Sequence, residues 1–207
     1  MIDGFTGAVA ELIGEAARMA PLPEMRGNYY PGLRRVIGDA DGAAFGHVER
    51  LLEDAAPYIG GGFDMDGFTV IEASFSMVTT PPEALTPPQR APHFDSTDPN
   101  YLAVMLYLGG TEGSGTAFYR QRVTGIEVVN DANLPRFVAA AKAAPAEGYI
   151  RGSDAHYEEI GRIEAVPDRL VVYRGALLHS GVIPPDMNFS ADPNEGRLTL
   201  NIFIKGH

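Results

Sequence analysis

The sequence predicts an α+β protein, mainly β: a β-sandwich or jelly roll buttressed by N-terminal helices. Three observations predict it. Apolar residues recur at helical spacing over residues 5–19 and 43–56. From Gly60 onward, short runs rich in β-branched and aromatic residues are separated by Pro/Gly turns. The final run, Arg197 to Ile204, alternates with a period of two.

The elements follow in order. Residues 5–19 set Phe5, Val9, Leu12, Ile13 and Ala16 on one face of a helix, which Pro21 and Pro23 terminate. Residues 27–35, GNYYPGLRR, read as a compact turn. Its alternative reading places Tyr30 or Arg34 near a substrate. Ala44, Val48, Leu51, Leu52 and Ala55 define a second helix over 43–56, with His47 on its polar side. Phe68 to Val78 reads as a strand or a pair of strands, followed by a Pro-rich loop. Strands are expected at Tyr101–Leu108 and Thr116–Arg120, flanking a glycine-rich turn. That turn lacks the Gly-Lys-Ser/Thr ending and the following helix that a phosphate cradle needs. Residues 134–143 look helical, and 149–164 look polar and irregular. Strand-like runs resume at Leu170–Tyr173 and at Gly175–Gly181, where His179 closes an apolar stretch. In the last run Arg197, Thr199, Asn201 and Phe203 share one face, and Leu198, Leu200, Ile202 and Ile204 the other.

Composition narrows the function. The 207 residues suffice for one domain with a real core: helical support over 1–58, then a β core over 60–207 with a helical insert near 134–143. No run of 18 uncharged apolar residues offers a membrane span. The N-terminal stretch is acidic and lacks the basic region of a secretory signal, so a cytoplasmic location is expected. The absence of cysteine excludes disulfides, thiolate metal sites and cysteine nucleophiles. Any transition metal must then use histidine and carboxylate. A net charge of −11 argues against nucleic acid as a partner.

The chemistry centres on His93-Phe94-Asp95. On an extended chain both functional side chains point to one face. Alone the triplet is weak, since about one chain in three of this composition contains an H-x-D by chance. The rest of the chain supplies what it lacks. His179 is followed by Ser-Gly, and Arg197 opens a strand with Thr199 on the same face. Two histidines and one carboxylate make the facial triad of non-haem Fe(II) enzymes. An arginine beside a hydroxyl suits a buried carboxylate, through two parallel N–H···O bonds and a third donor.

The ordered set PHFD, LAVMLYL, GSGTAFY, LLHSG and RLTLNIF over residues 68–204 resembles the Fe(II)/2-oxoglutarate-dependent dioxygenases, in the prolyl-4-hydroxylase-like branch. With NYYPGLR ahead of it, the chain also resembles a bacterial group of uncharacterised proteins in that superfamily. The resemblance implies a double-stranded β-helix (jelly roll) core. It implies that His93, Asp95 and His179 bind Fe(II), and that Arg197, with Thr199 and Tyr107, holds the distal carboxylate of the cosubstrate 2-oxoglutarate. It implies a hydroxylase acting on a small molecule, amino acid or peptide. A carboxylate at Asp95 favours hydroxylation, because related halogenases carry a small residue there. One departure stands out: His179 and Arg197 are 18 residues apart where the family usually has about ten. The loop from Pro184 to Gly196 would account for it, or Lys205 would take the anchor's role; Arg174 is a poorer geometric match. The alternative function is a cupin-like metal protein without 2-oxoglutarate chemistry. His47, His156 and His207 are not expected to be ligands. Phe75, Met77, Arg90, Tyr119 and Tyr30 are the residues considered for contact with substrate.

Overall fold

The computed structural model describes residues 1–24, 29–110, 112–144 and 147–207. Gly27 and Asn28 of the expected turn lie outside them, as does Thr111 of the glycine-rich turn. Two antiparallel sheets and three α-helices carry the architecture.

Eight strands form the sheets: β1 (Gly32–Ile37), β2 (Phe68–Val78), β3 (Tyr101–Tyr107), β4 (Gly115–Gln121), β5 (Tyr157–Glu164), β6 (Leu170–Arg174), β7 (His179–Val182) and β8 (Leu198–Gly206). The larger sheet has the order β1-β2-β8-β3-β6, and the smaller β5-β4-β7. The alternation read in the last run holds. Leu198, Leu200, Ile202 and Ile204 are buried in one cluster with Ala73, Phe75 and Met77 of β2 and Leu102, Val104 and Leu106 of β3. Helices α1 (Val9–Arg18) and α2 (Ala43–Phe63) cover that face through Leu12, Ala16, Val48, Leu51, Ala55 and Ile59. The opposite face carries Ala103, Met105 and Tyr107, which pack towards Phe118 and Ile163 of the smaller sheet. The far side of that smaller sheet is covered by α3 (Leu134–Lys142), whose Phe137 packs with Tyr119, Tyr157 and Leu178.

The structure departs from the sequence reading at four places. The segment taken as a turn becomes strand β1 from Gly32, whose close approach to β2 leaves no room for a side chain: a Cβ there would lie 2.0 Å from the Met77 carbonyl oxygen. Helix α2 runs seven residues past position 56, through Pro57, because Ile59 and Phe63 pack on the core and outweigh local propensity. Residues 157–164 form β5, read as irregular because four charged residues interrupt its apolar pattern on an edge strand. His179 opens a strand instead of ending one.

The N-terminal segment pairs with β6 through the Ile2–Leu170 backbone bridge, and the Asp168 carboxylate just before that strand holds it further. Asp168, at φ 64°, accepts from Thr6 N (2.9 Å), Thr6 Oγ1 (2.5 Å) and Gly7 N (2.7 Å). Its own backbone N–H donates to the Tyr107 carbonyl (2.9 Å), next to the candidate site. Hydrogen bonds to a charged acceptor contribute about 1.5–3 kcal/mol each before their mutual dependence is counted. Asp168→Ala is expected to lower the urea-unfolding free energy by roughly 3 kcal/mol, with Asp168→Asn losing less because it keeps an acceptor oxygen.

Candidate active site

A cavity of about 1120 Å³ is lined by both sheets, with Met105 and Asn201 from the larger and Thr116 and His179 from the smaller. Helix α3 adds Leu134, Phe137 and Val138, and the segment leading to β3 adds Pro92 and Phe94. The helical insert read from the sequence therefore forms part of the cavity wall.

Backbone pairing assembles the candidate metal ligands. His93 N donates to the His179 carbonyl (2.9 Å), and His179 N donates to that of His93 (2.8 Å). Two residues on, Asp95 N donates to the Gly175 carbonyl (2.7 Å). Glycine permits that approach, since a Cβ at 175 would stand 2.8 Å from the Tyr101 ring and 3.2 Å from Asp95 Cβ. The result brings one ligand atom each of His93, Asp95 and His179 within 4.8 Å of one another. His93 Nε2 lies 3.9 Å from Asp95 Oδ1, and His179 Nε2 lies 3.7 Å from Asp95 Oδ2. The two imidazoles stand 4.3 Å apart between ring centroids, and Tyr173 meets His179 edge-on at 4.9 Å.

The chemistry of this donor set fits a divalent metal. His179 Nδ1 donates to the Leu177 carbonyl (2.8 Å), which leaves the Nε2 lone pair facing the cluster. Burial pushes the His179 imidazole down to about 4, so it is neutral at physiological pH and free to ligate. The His93 imidazole is also lowered by burial, with the neighbouring His179 adding to the effect. Although 41% of the His93 side chain is accessible, that surface faces the cavity. Asp95 is raised by burial, and its Oδ2 is buried without a hydrogen-bond partner. An orphaned carboxylate oxygen between two neutral imidazoles lacks a cation. This is the one such cluster among the described residues. The acidic segment around His156 is otherwise engaged: the Asp154 carboxylate accepts from His156 N and Tyr157 N, Glu158 pairs with Arg120, and Glu159 pairs with Arg162. His47 is less solvated than its helix face suggested, because its ring sits 3.8 Å from Glu11 with only 11% of its side chain exposed.

Arg197 and Thr199 line the same cavity. Arg197 is 5% exposed; its Nη2 donates to the Gly115 carbonyl (2.9 Å), while its Nε is buried without a partner. Thr199 Oγ1 approaches the Ser76 carbonyl at 3.4 Å. Tyr107 is fully buried behind this surface, with its hydroxyl 2.7 Å from Thr116 Oγ1 and its ring 5.9 Å from the Arg197 guanidinium carbon. Lys205 points elsewhere and pairs with Asp98 at 2.8 Å. Arg174 donates to the Pro99 carbonyl and lies over the Phe63 ring. Of the residues considered for substrate contact, Tyr30 and Arg90 line the cavity. Phe75 and Met77 face the helices, and Tyr119 packs in the α3 cluster. Thr116, Asn201, Ser180 and Tyr173 line the cavity unforeseen. Asn201 was available from the phase of β8; Thr116 and Ser180 needed the pairing of the smaller sheet, and Tyr173 that of β6 with β3.

The sequence profile of a family of unknown function, DUF6445, matches residues 1–204. The chain belongs to this family. No curated protein matches the DUF6445 chain in sequence. Solved structures do match it in fold. The epimerase SnoN from nogalamycin biosynthesis, non-haem and α-ketoglutarate dependent, shares 18% identity at a TM-score of 0.55, covering 99% of this chain and 75% of that one. HygX from Streptomyces hygroscopicus with iron bound shares 11% at 0.55, covering 99% and 81%. A Pseudomonas putida prolyl-4-hydroxylase shares 16% at 0.50, covering 98% and 86%. At these identities the likeness is one of fold, and the fold is that of the Fe(II)/2-oxoglutarate-dependent oxygenases the sequence resembles. SnoN is also known in complex with Fe3+, α-ketoglutarate and nogalamycin RO. No helix among the described residues is long and apolar enough to cross a membrane.

Metal binding is testable without catalysis. Adding Mn(II), a redox-stable stand-in for Fe(II), is expected to raise the melting temperature, because a ligand of the folded state alone stabilises it. His93→Ala and His179→Ala should each abolish that shift. The triple change of His47, His156 and His207 to Gln should preserve it; its loss there would place the metal elsewhere.

Proposed function

We propose that this DUF6445 protein is a non-haem Fe(II)- and 2-oxoglutarate-dependent oxygenase that hydroxylates a small molecule, amino acid or peptide. One observation carries the reading: a single cavity holds the His93–Asp95–His179 cluster, with its orphaned carboxylate oxygen, and the buried Arg197, with its orphaned Nε. The first needs a cation and the second an anion. In this reading the two antiparallel sheets are the halves of a double-stranded β-helix, residues 1–207 are one domain, and the protein works in the cytoplasm.

His93, Asp95 and His179 would hold the iron. With 2-oxoglutarate, iron supplies oxidation of a substrate by O₂ coupled to decarboxylation of the cosubstrate to succinate. The chain's own residues do the rest. Arg197 presents a planar fork to the distal carboxylate, and it stays charged at any working pH. Thr199, one pleat along, adds a donor by turning its hydroxyl away from the long contact with the Ser76 carbonyl. Tyr107 holds the Thr116 hydroxyl in place from behind and so acts on the anchor indirectly. Leu134, Phe137 and Val138 of α3 give the cavity apolar walls, which strengthen each polar contact inside.

A cupin-like metal protein would use the same three ligands, but it leaves the buried Arg197 without a task. Succinate release from 2-oxoglutarate separates the two: the proposal expects release dependent on Fe(II) and O₂, and its absence with metal bound favours the cupin-like reading. Breaking a buried, hydrogen-bonded charge pair costs on the order of 3–5 kcal/mol, or roughly two to four decades in affinity. Arg197→Ala should therefore raise the Kd for 2-oxoglutarate by that factor while sparing metal binding. Arg197→Lys should fall between, since it keeps the charge and loses the fork. Calorimetric titration under nitrogen at constant Fe(II) reads both.

A further inference from the structure

Strand β1 and the Tyr-Tyr-Pro-Gly turn before it take no part in the metal cluster or the Arg197 anchor, yet both reach the cavity. Tyr29, Tyr30, Pro31 and Arg34 line it. Among the described residues, the lining carries Arg34, Arg90, Lys142 and Arg197 as cations against one carboxylate, Asp95. The whole chain has a net charge of −11. A cavity so biased within so acidic a chain attracts anions. One cosubstrate dicarboxylate at Arg197 leaves a second arginine, Arg34, in the same cavity wall.

Arg34 is fixed in place. Its Nε donates to Ser74 Oγ (2.8 Å), and its guanidinium carbon lies 5.1 Å from the Phe203 ring centroid. Its Nη2 sits 2.6 Å from Glu72 Oε1 as an ion pair, yet this buried nitrogen makes no directed hydrogen bond. Glu72 is 36% exposed, so water screens that pair. Neither polar contact engages Nη1. The Tyr30 hydroxyl, which feels the charges of both Arg197 and Arg34, is buried without a hydrogen-bond partner; Ser76 approaches it, but not with hydrogen-bond geometry. Burial pushes Tyr30 up to about 12 despite the positive charges of Arg197 and Arg34, so the hydroxyl remains a donor. Arg34 Nη1 and the Tyr30 hydroxyl are thus donors left without a hydrogen-bond partner in the wall of one cavity. Pro88, Phe94, Leu134, Phe137 and Val138 supply apolar surface around it.

We propose that Arg34 and Tyr30 form a second anion seat that takes a carboxylate of the substrate, so that the enzyme acts on carboxylic acids with an apolar body. The inference rests on the oxygenase reading for calling the ligand a substrate; the seat itself does not.

The test uses 3-phenylpropanoate and octanoate, each against its own amide, titrated calorimetrically under nitrogen into protein loaded with Mn(II) and 2-oxoglutarate. A charge-assisted bond to the seat should make at least one acid bind about tenfold more tightly than its amide. Arg34→Gln should erase that preference without changing the affinity for 2-oxoglutarate, and Tyr30→Phe should reduce it several-fold. Tyr30→Phe removes only a hydroxyl and guards against misfolding of the arginine variant. The inference is overturned if neither acid surpasses its amide, if the preference survives Arg34→Gln, or if only Arg197→Gln removes it. Should the parent protein fail to bind 2-oxoglutarate, the oxygenase reading falls, and the same acid–amide comparison with Mn(II) alone still decides the seat.

Discussion

The period of two along β8 governs what this protein can bind. The strand lies in the middle of the larger sheet, paired to β2 on one side and β3 on the other. Leu198, Leu200, Ile202 and Ile204 enter the core under the helices, while Thr199 and Asn201 face the cavity with Arg197 just ahead of the strand. A slip of one residue would exchange the two sets, placing polar groups under α2 and leucines in the cavity. Pairing on both edges, with Thr199 opposite Ser76 and Tyr107, holds the register. The position of Arg197 is therefore fixed by the same apolar contacts that stabilise the fold.

Two deficits of opposite sign lie within that frame. Asp95 Oδ2 has no donor, and Arg197 Nε has no acceptor. They do not satisfy each other. The imidazoles beside Asp95 cannot supply the missing charge, because burial keeps them neutral well below their ordinary titration range. Buried groups in this condition cost stability until something pairs them. In the proposed function, a cation at one and an anion at the other would remove both penalties.

What was legible in the sequence was residue type and phase. His93, Asp95, His179 and Arg197 could be singled out because few residues can serve such roles in a chain without cysteine. What joins them could not be read. The His93–His179 pairing and the bare backbone of Gly175 are contacts between distant segments with no local signature. Phase alone also misleads. In β2, Phe75 and Met77 resemble binding residues, but they are the core-facing set; Ser74 and Ser76 lie on the other face. Lys205 shares the phase of Arg197, yet it is eight residues on, about 26 Å along an extended strand, and it reaches Asp98 instead. The apolar spacing set the end of the second helix at residue 56, but the burial of Ile59 carried α2 onward through Pro57.

The placement of Arg34 has a geometric consequence. Strand β1 is an edge strand, and edge strands are usually the less constrained part of a sheet. Arg34 escapes that looseness because β2 and β8 grip its guanidinium through Ser74, Glu72 and Phe203. Its backbone stands opposite Ser76, which stands opposite Thr199, so two strand spacings, about 10 Å, separate the Arg34 and Thr199 backbones. A seat at Arg34 and an anchor at Arg197 would then be held apart by sheet geometry and not by loops. Neither could move to suit a ligand. A substrate gripped at Arg34 would present to the metal cluster only the carbon lying at the matching distance from its carboxylate, so the sheet would select both which molecules react and at which position.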